Sequence, residues 1–299
     1  MIISLQDLKP AEKQYYLQHI IAPRPICFAS TIDVEGNVNL SPFSFFNIFS
    51  SNPPVVIFSP ARRVRDNTTK HTLQNVLEVP EVVINMVTYD MVQQTSLASC
   101  EYPKTVNEFT KAGFTMEKAT VVRPPMVKES LAKMECRVME IKSLGEMGGA
   151  GQLVICKVLV LHIDENLFED VPADEVMRKL DQRKIHHVAR LGGDWYCQVN
   201  EHNLFKVIKP STSLGIGVDA LPAHIRNSKI LTGNNLGLLA NVKEIPVIEA
   251  AFNDDHLKQI LQYYSINPPE MEKELHLYAS SLLSDGKVQE AWQVLLSND

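Results

Sequence analysis

Apolar and polar positions alternate with a short period over the first two thirds of the chain. Residues 26–32 and 55–58 are rich in β-branched and aromatic side chains, which suit the pleated, half-buried surface of a strand. Asp33-Val34-Glu35-Gly36 supplies turn chemistry between the first of these and a second strand near 38–40. Residues 82–87 predict a further strand, and the longer runs 132–144 and 152–163 predict two more, joined across the glycine-rich stretch 145–151. Short helices are expected at 11–20 and 91–99. Many short strands with few long helices between them favour an antiparallel barrel over a parallel, doubly wound sheet. From about residue 211 the period lengthens, and 254–264, 269–284 and 287–297 predict three helices, with Asp285-Gly286 as the break between the last two. The expected organisation is a mainly β domain over 1–210 and a helical extension over 211–299. The last two helices have the spacing of one helical-repeat hairpin, but no repeat recurs at a fixed period, so a packed extension is favoured over a solenoid. Covering a site, enlarging a subunit interface and binding a protein partner all remain open as its task.

Composition narrows the function classes. The 299 residues are 45% hydrophobic and 21% charged, as in an ordinary globular protein. A net charge of -6 argues against nucleic-acid binding, which needs clustered Lys and Arg. No apolar run is long enough to predict a membrane span. Cys27, Cys100, Cys136, Cys156 and Cys197 are widely separated and show no metal or C-x-x-C spacing. They read as buried or idle thiols in a reducing cytoplasm, and the start lacks the pattern of a secretory signal. The nine histidines do not cluster with acids or cysteines, so no metal is expected.

Two segments carry candidate chemistry. Ser41-Pro42-Phe43-Ser44-Phe45-Phe46-Asn47 offers backbone N–H groups, hydroxyls and flat apolar faces together, a combination suited to a planar heterocycle. Within it Phe43, with nearby Phe49, reads as core packing, and Phe45 and Phe46 as neighbours of a ring. The stretch 62–76 brings Arg62, Arg63, Arg65, Lys70 and Thr72 to an expected helix start, where unpaired N–H groups carry positive partial charge. That is either a phosphate anchor or a solvated polar connection. Gly148-Gly149-x-Gly151 lies between strands rather than between strand and helix, and reads as turn chemistry rather than a dinucleotide loop. Tyr102, Trp195 and Tyr196 could shield a ligand or close a barrel end, and Gly192-Gly193 could admit a ligand or make a turn.

Taken in order, Arg24-Pro25, Gly36-Asn37-Val38-Asn39, the 41–47 segment, Pro53-Pro54 and Lys70-His71-Thr72-Leu73-Gln74-Asn75 resemble the motifs of the flavin reductase-like, FMN-binding split-barrel family, which includes the flavoredoxins. Val83-Ile84-Asn85, Asn107-Glu108-Phe109 with Ala112-Gly113, and the segment 189–196 extend the resemblance over roughly 20–210. His71 stands where the family usually has Asp, which puts a role for that carboxylate in doubt.

The resemblance implies an antiparallel FMN-binding split β-barrel and an oxidoreductase of the flavin reductase type, taking hydride from NAD(P)H. Such chemistry needs no triad or carboxylate pair, because the protein's task is to hold the ring, tune it and leave one face open. No catalytic residue is assigned. A flavoredoxin-like carrier fed by a protein partner and a flavin-binding protein without turnover are the alternatives. Ser44, Phe45, Phe46 and Asn47 are expected at the isoalloxazine, with Pro42 beside them. Lys70 and Thr72 are expected at the phosphate with His71 adjacent, and Arg24 and Ser41 at the phosphate or ribityl chain. The family also implies a homodimer in which a six-stranded half-open barrel is closed by its twin.

Overall fold

The computed structural model describes residues 1–170, 178–210, 214–249 and 251–297. Two compact units divide the chain, Met1–Phe205 and Lys206–Asp299. The expected boundary at residue 211 lies outside the described residues.

In the first unit, helix α1 (Pro10–Ile20) precedes four strands: β1 (Cys27–Ile32), β2 (Val38–Phe43), β3 (Phe46–Ser51) and β4 (Pro54–Phe58). Helix α2 (His71–Glu78), strand β5 (Glu81–Met86) and helices α3 (Val92–Leu97) and α4 (Glu108–Ala112) follow, then the long hairpin β6 (Ala132–Ser143) and β7 (Gln152–Ile163). These strands form one antiparallel sheet in the order β2-β1-β5-β6-β7-β4-β3. The two edge strands, β2 and β3, are consecutive in the chain and separated only by Ser44 and Phe45. Three Cα steps cannot exceed about 11 Å, so the sheet has to curl until its edges nearly meet. The result is a barrel split along one seam, with Ser44-Phe45 as the stitch.

The sheet has seven strands where six were expected, and the 41–47 segment is mostly strand rather than loop. Pro42 sits within β2 opposite Phe28, tolerated because β2 is an edge strand. The additional strand β3 shows no clean alternation because its register with β4 shifts between Ile48 and Ser50. Ile48 and Phe49 are therefore both exposed, and the expected burial of Phe49 is corrected.

The barrel interior is apolar. Phe43 and Phe58 meet at 5.5 Å between centroids, and α2 contributes Leu73 and Val76 to the same core. Cys27, Cys136 and Cys156 are fully enclosed there, and burial pushes the Cys136 thiol up to about 12, which keeps it inert. On the other face of the sheet, Phe28, Leu40 and Val87 pack against Met91, Phe109 and Phe114. A small sheet of Arg24–Pro25, Val188–Arg190 and Tyr196–Gln198 completes the unit.

The second unit contains helices α5 (Gly233–Ala240), α6 (Asp255–Tyr263), α7 (Pro268–Ser284) and α8 (Val288–Leu296) round one core centred on Trp292, Leu239, Leu275, Ala279 and Leu295. The first of these was not expected, because GNNLGLLA carries two glycines. It is nucleated by a capping box between Thr232 and Asn235 and held by burial of Leu239 and Ala240. Helix α6 starts where the Asp254 carboxylate accepts from the Leu257 N–H at 2.7 Å.

Candidate functional site

Beside the seam is a cavity of about 430 Å3. One wall is the end of β2 and the stitch, with Pro42, Phe43 and Ser44; another is α3 with Thr95 and Ser96, and Ser99 just beyond its end; Gln14 and Gln18 of α1, Arg190 and Tyr196 close the remaining sides. Hydroxyls and amides dominate. The Thr95 hydroxyl is buried without a hydrogen-bond partner. A buried polar group in this state is costly unless something satisfies it. Arg190 stacks over the Tyr196 ring at 4.5 Å and also donates to its hydroxyl.

A larger cavity of about 630 Å3 lies on the other side of Arg24 and Lys70, which line both. Leu17, Ile21, Phe45 and Val64 form its apolar surface, and the loop carrying Arg62, Arg63 and Arg65 its cationic one. Glu101 is the carboxylate there, accepting from Arg63 at 2.6 Å and Arg65 at 2.8 Å, with Lys70 at 3.9 Å.

A third, narrow cleft of about 20 Å3 runs to the start of α2, between Ser41, Lys70, His71, Thr72, Cys100 and Tyr102. Lys70 is the N-cap residue, and no side chain caps this helix start. Burial, then the charge of Arg63, lowers the Lys70 ammonium from its ordinary value, with Glu101 opposing. Burial, then Arg63, Lys104 and Lys70, likewise lowers His71, which keeps that imidazole neutral near pH 7. Beneath the cleft, Thr72 donates its hydroxyl hydrogen to Asn39 at 2.6 Å, and the Glu108 carboxylate accepts from Asn39 at 2.9 Å and from the Leu40 N–H at 3.0 Å. Burial raises Glu108 against those donors. The chain ties α2, α4 and β2 together, and fixes the start of α2 relative to the seam.

The structure thus gathers Arg24, Pro42, Ser44, Phe45 and Lys70 round the two cavities, and Ser41, His71 and Thr72 in the cleft that adjoins them. Phe46 and Asn47 line none of the three. Phe46 packs towards the barrel core, and the Asn47 side chain, exposed, accepts from the Ile48 N–H at 2.8 Å. Arg24 is largely committed elsewhere: its guanidinium donates to the carbonyls of Gln18, Ile21 and Leu191 at 2.5, 2.5 and 2.7 Å, leaving its buried Nε without a partner. Thr72, its hydroxyl hydrogen taken, retains its backbone N–H for a ligand. Trp195 points into solvent, and a Cβ on Gly192 would meet His19 at 2.1 Å, so the close approach at that glycine is to the His19 ring. Sequence reasoning missed Thr95, Arg190 and Glu101 as wall residues. The hydroxyls of Thr95 and Ser96 on a short helix, with Ser99 just after it, were the available signal for the first.

No described helix is long and apolar enough to cross a membrane, and no described group of three His, Cys, Asp or Glu residues is arranged to hold a metal.

Comparison with known proteins agrees with this geometry. An uncharacterized protein of Aquifex aeolicus is 36% identical over 178 residues, 59% of this chain and 85% of its own. Nitrilotriacetate monooxygenase component B from Bacillus cereus is 27% identical and superposes with a TM-score of 0.63, covering 69% of this chain and 98% of that one. Flavoredoxin of Desulfovibrio vulgaris, 19% identical with a TM-score of 0.52 over 71% of this chain and 99% of its own, shares the fold. The family model described as flavin reductase like domain matches residues 20–180, more than half of the chain and the segment that carries the barrel, the stitch and the start of α2; the chain belongs to that family.

Proposed function

We propose that this chain is an FMN-dependent NAD(P)H oxidoreductase of the flavin reductase type. The observation that supports this most is the position of Lys70, a cation at an uncapped helix start that borders all three cavities and so joins an anion site to a ring-sized chamber. The residues present fit the group. Thr95 and Arg24 each present a buried, unpartnered polar atom beside the 430 Å3 cavity, where a flavin's polar edge supplies partners.

In this reading Lys70 and the N–H groups at the start of α2 hold the phosphate, with Ser41 and the cleft below them. Ser44 and Thr95 meet the polar edge of the ring, Phe45 and Pro42 supply apolar surface, and Arg24 fixes α1 as a wall. When bound, FMN supplies the acceptor for a hydride from a reduced nicotinamide. The protein's part is to orient both rings and exclude water between them. His71, kept neutral, adds no charge beside the phosphate. The name of the B. cereus protein, a monooxygenase component, supports a chain whose reduced flavin serves a separate protein, and the five free thiols suit a cytoplasmic setting.

The proposed working unit is a homodimer. Edge strand β3 leaves Ile48 and Phe49 exposed, an apolar edge of the kind that natural sheets cover. Light scattering that returned a monomer with FMN bound would remove this part.

Anaerobic mixing of FMN-loaded protein with NADH and NADPH tests the activity. Rapid bleaching of the flavin absorbance is expected with at least one of them. No bleaching with either would leave an electron carrier fed by a protein partner as the better reading.

A further inference from the structure

The 630 Å3 chamber carries more positive charge than a flavin monophosphate needs. Six cationic side chains, Lys13, Arg24, Arg62, Arg63, Arg65 and Lys70, line it against one carboxylate, Glu101. The arginine loop is held in place. Arg62 donates to the Asn67 side chain and carbonyl, both at 2.8 Å, and the Arg63 N–H bonds the Thr68 carbonyl at 2.9 Å across the left-handed Asn67. The glycine-rich tip of the β6–β7 hairpin clamps the same loop from outside. Gly149 donates to the Arg62 carbonyl and the Arg62 N–H to Ala150, both at 2.9 Å, while a Cβ on Gly148 would lie 2.9 Å from the Arg63 carbonyl oxygen. The tip therefore needs glycine to pack there, and it presents the guanidiniums on a preorganised support.

Resting on the hydride-transfer reading above, we propose that this chamber receives the phosphorylated end of the electron donor, and that its arginines select NADPH over NADH. Three features carry this. A flat apolar wall of Leu17, Ile21, Phe45 and Val64 faces a cationic one, which matches a ligand with aromatic rings and several phosphates. An unphosphorylated ribose is commonly read by a free carboxylate accepting from its hydroxyl. Here Glu101 is already engaged by two guanidiniums and is a poor reader of that hydroxyl. Arg65, with its side chain 73% exposed at the rim, can instead turn its planar fork to a phosphate, the geometry guanidinium favours. Until a stronger anion arrives, Glu101 engages Arg63 and Arg65, and Asp66 also accepts from Arg65 at 3.0 Å.

The test uses the FMN-loaded protein. Calorimetric titration with 2′,5′-ADP and with 5′-AMP is expected to show the first binding at least about tenfold more tightly, as a charge-assisted bidentate contact implies. Stopped-flow reduction is expected to give NADPH a kcat/KM at least about tenfold above NADH, and Arg65→Glu is expected to bring that ratio close to one while Arg65→Lys keeps part of it. FMN affinity measured on each variant reports that the fold is intact. Equal binding of the two probes, a wild-type ratio within about threefold, or a ratio indifferent to Arg65→Glu overturns the inference and leaves the flavin reductase reading standing. Bleaching by neither nucleotide overturns both.

Discussion

Among the described residues, Asp33, Glu108, Glu135 and Arg24 lie beneath the surface of the barrel unit, whereas the buried polar side chains of the helical unit are Asn235, Gln293 and a His276 that burial keeps neutral. Burying a charge is expensive unless several donors compensate. In the barrel they do. Glu135 accepts from the N–H groups of Thr120, Val121 and Val122 at 2.7, 2.6 and 3.1 Å and pairs with His162 at 2.6 Å. Asp33 organises the β1–β2 turn through Asn37 and Lys104. The helical unit stays together by apolar packing, with polar groups confined to caps and helix-to-segment ties such as Gln293 with Val247 and Glu249. The barrel spends stability on fixing positions, and a ligand site needs positions fixed.

This contrast can be broken in four ways. Truncating the helical core should have the largest effect. Leu275→Ala, at a site 2% exposed, is expected to cost about 2 to 5 kcal/mol, read by urea unfolding through the fluorescence of buried Trp292. A cost below about 1 kcal/mol would show that this core is loosely packed. Next, Glu135→Ala in the barrel should cost about 2 to 4 kcal/mol, because three N–H groups and a histidine lose their acceptor. A neutral result in circular dichroism melts would mean that the buried charge organises nothing.

Lys70→Ala comes third. It should leave folding nearly unchanged and weaken FMN by roughly ten- to a hundredfold, about 1.5 to 3 kcal/mol, while riboflavin binding holds. Equal losses for both ligands in a fluorescence titration would take the phosphate away from this helix start.

The last test is one of direction. Burial of Glu135 alone would raise its carboxyl, but the donors from Thr120, Val121 and His162 bring it down to about 2. Its folded value thus lies below its ordinary 4.5, so its contribution is whole above 4.5 and is lost as pH falls from there towards 2. Burial lowers the His276 imidazole, helped by His224 and opposed by Glu272. The unfolded chain then takes up the proton first, and the helical unit should weaken as pH drops below the ordinary 6.5. The Trp292-reported urea midpoint should fall between pH 7 and 5 while the Glu135 contribution is still intact. A flat midpoint over that range would contradict the assignment.

Much of this architecture was legible because local pattern and tertiary role coincide. Alternation located β1, β4, β5 and the long hairpin, and the Lys70 to Asn75 text located an uncapped helix start. β3 escaped because a bulge breaks its period, and Phe49 was assigned to a core that the bulge turns it away from. Phe46 lies on that same strand rather than in a loop, and packs towards the barrel core. Arg63 meets Glu101, 38 residues away, and Thr95 and Ser44 come to line one cavity, only through the tertiary fold, and no local spacing announces such pairs.

The two-residue stitch has one more consequence. Ser44-Phe45 is as short as a link between opposite edges can be, so the width of the barrel mouth on that side is set by chain length alone and cannot be tuned by swapping side chains. The opposite rim, made of the arginine loop and the glycine-rich tip, is longer and joined to the barrel by loop hydrogen bonds. On the proposed reading, insertions in that rim would enlarge the chamber for a bulkier donor while the flavin edge proposed at Ser44 kept its place, which makes one jaw of the site an anvil and the other the adjustable part.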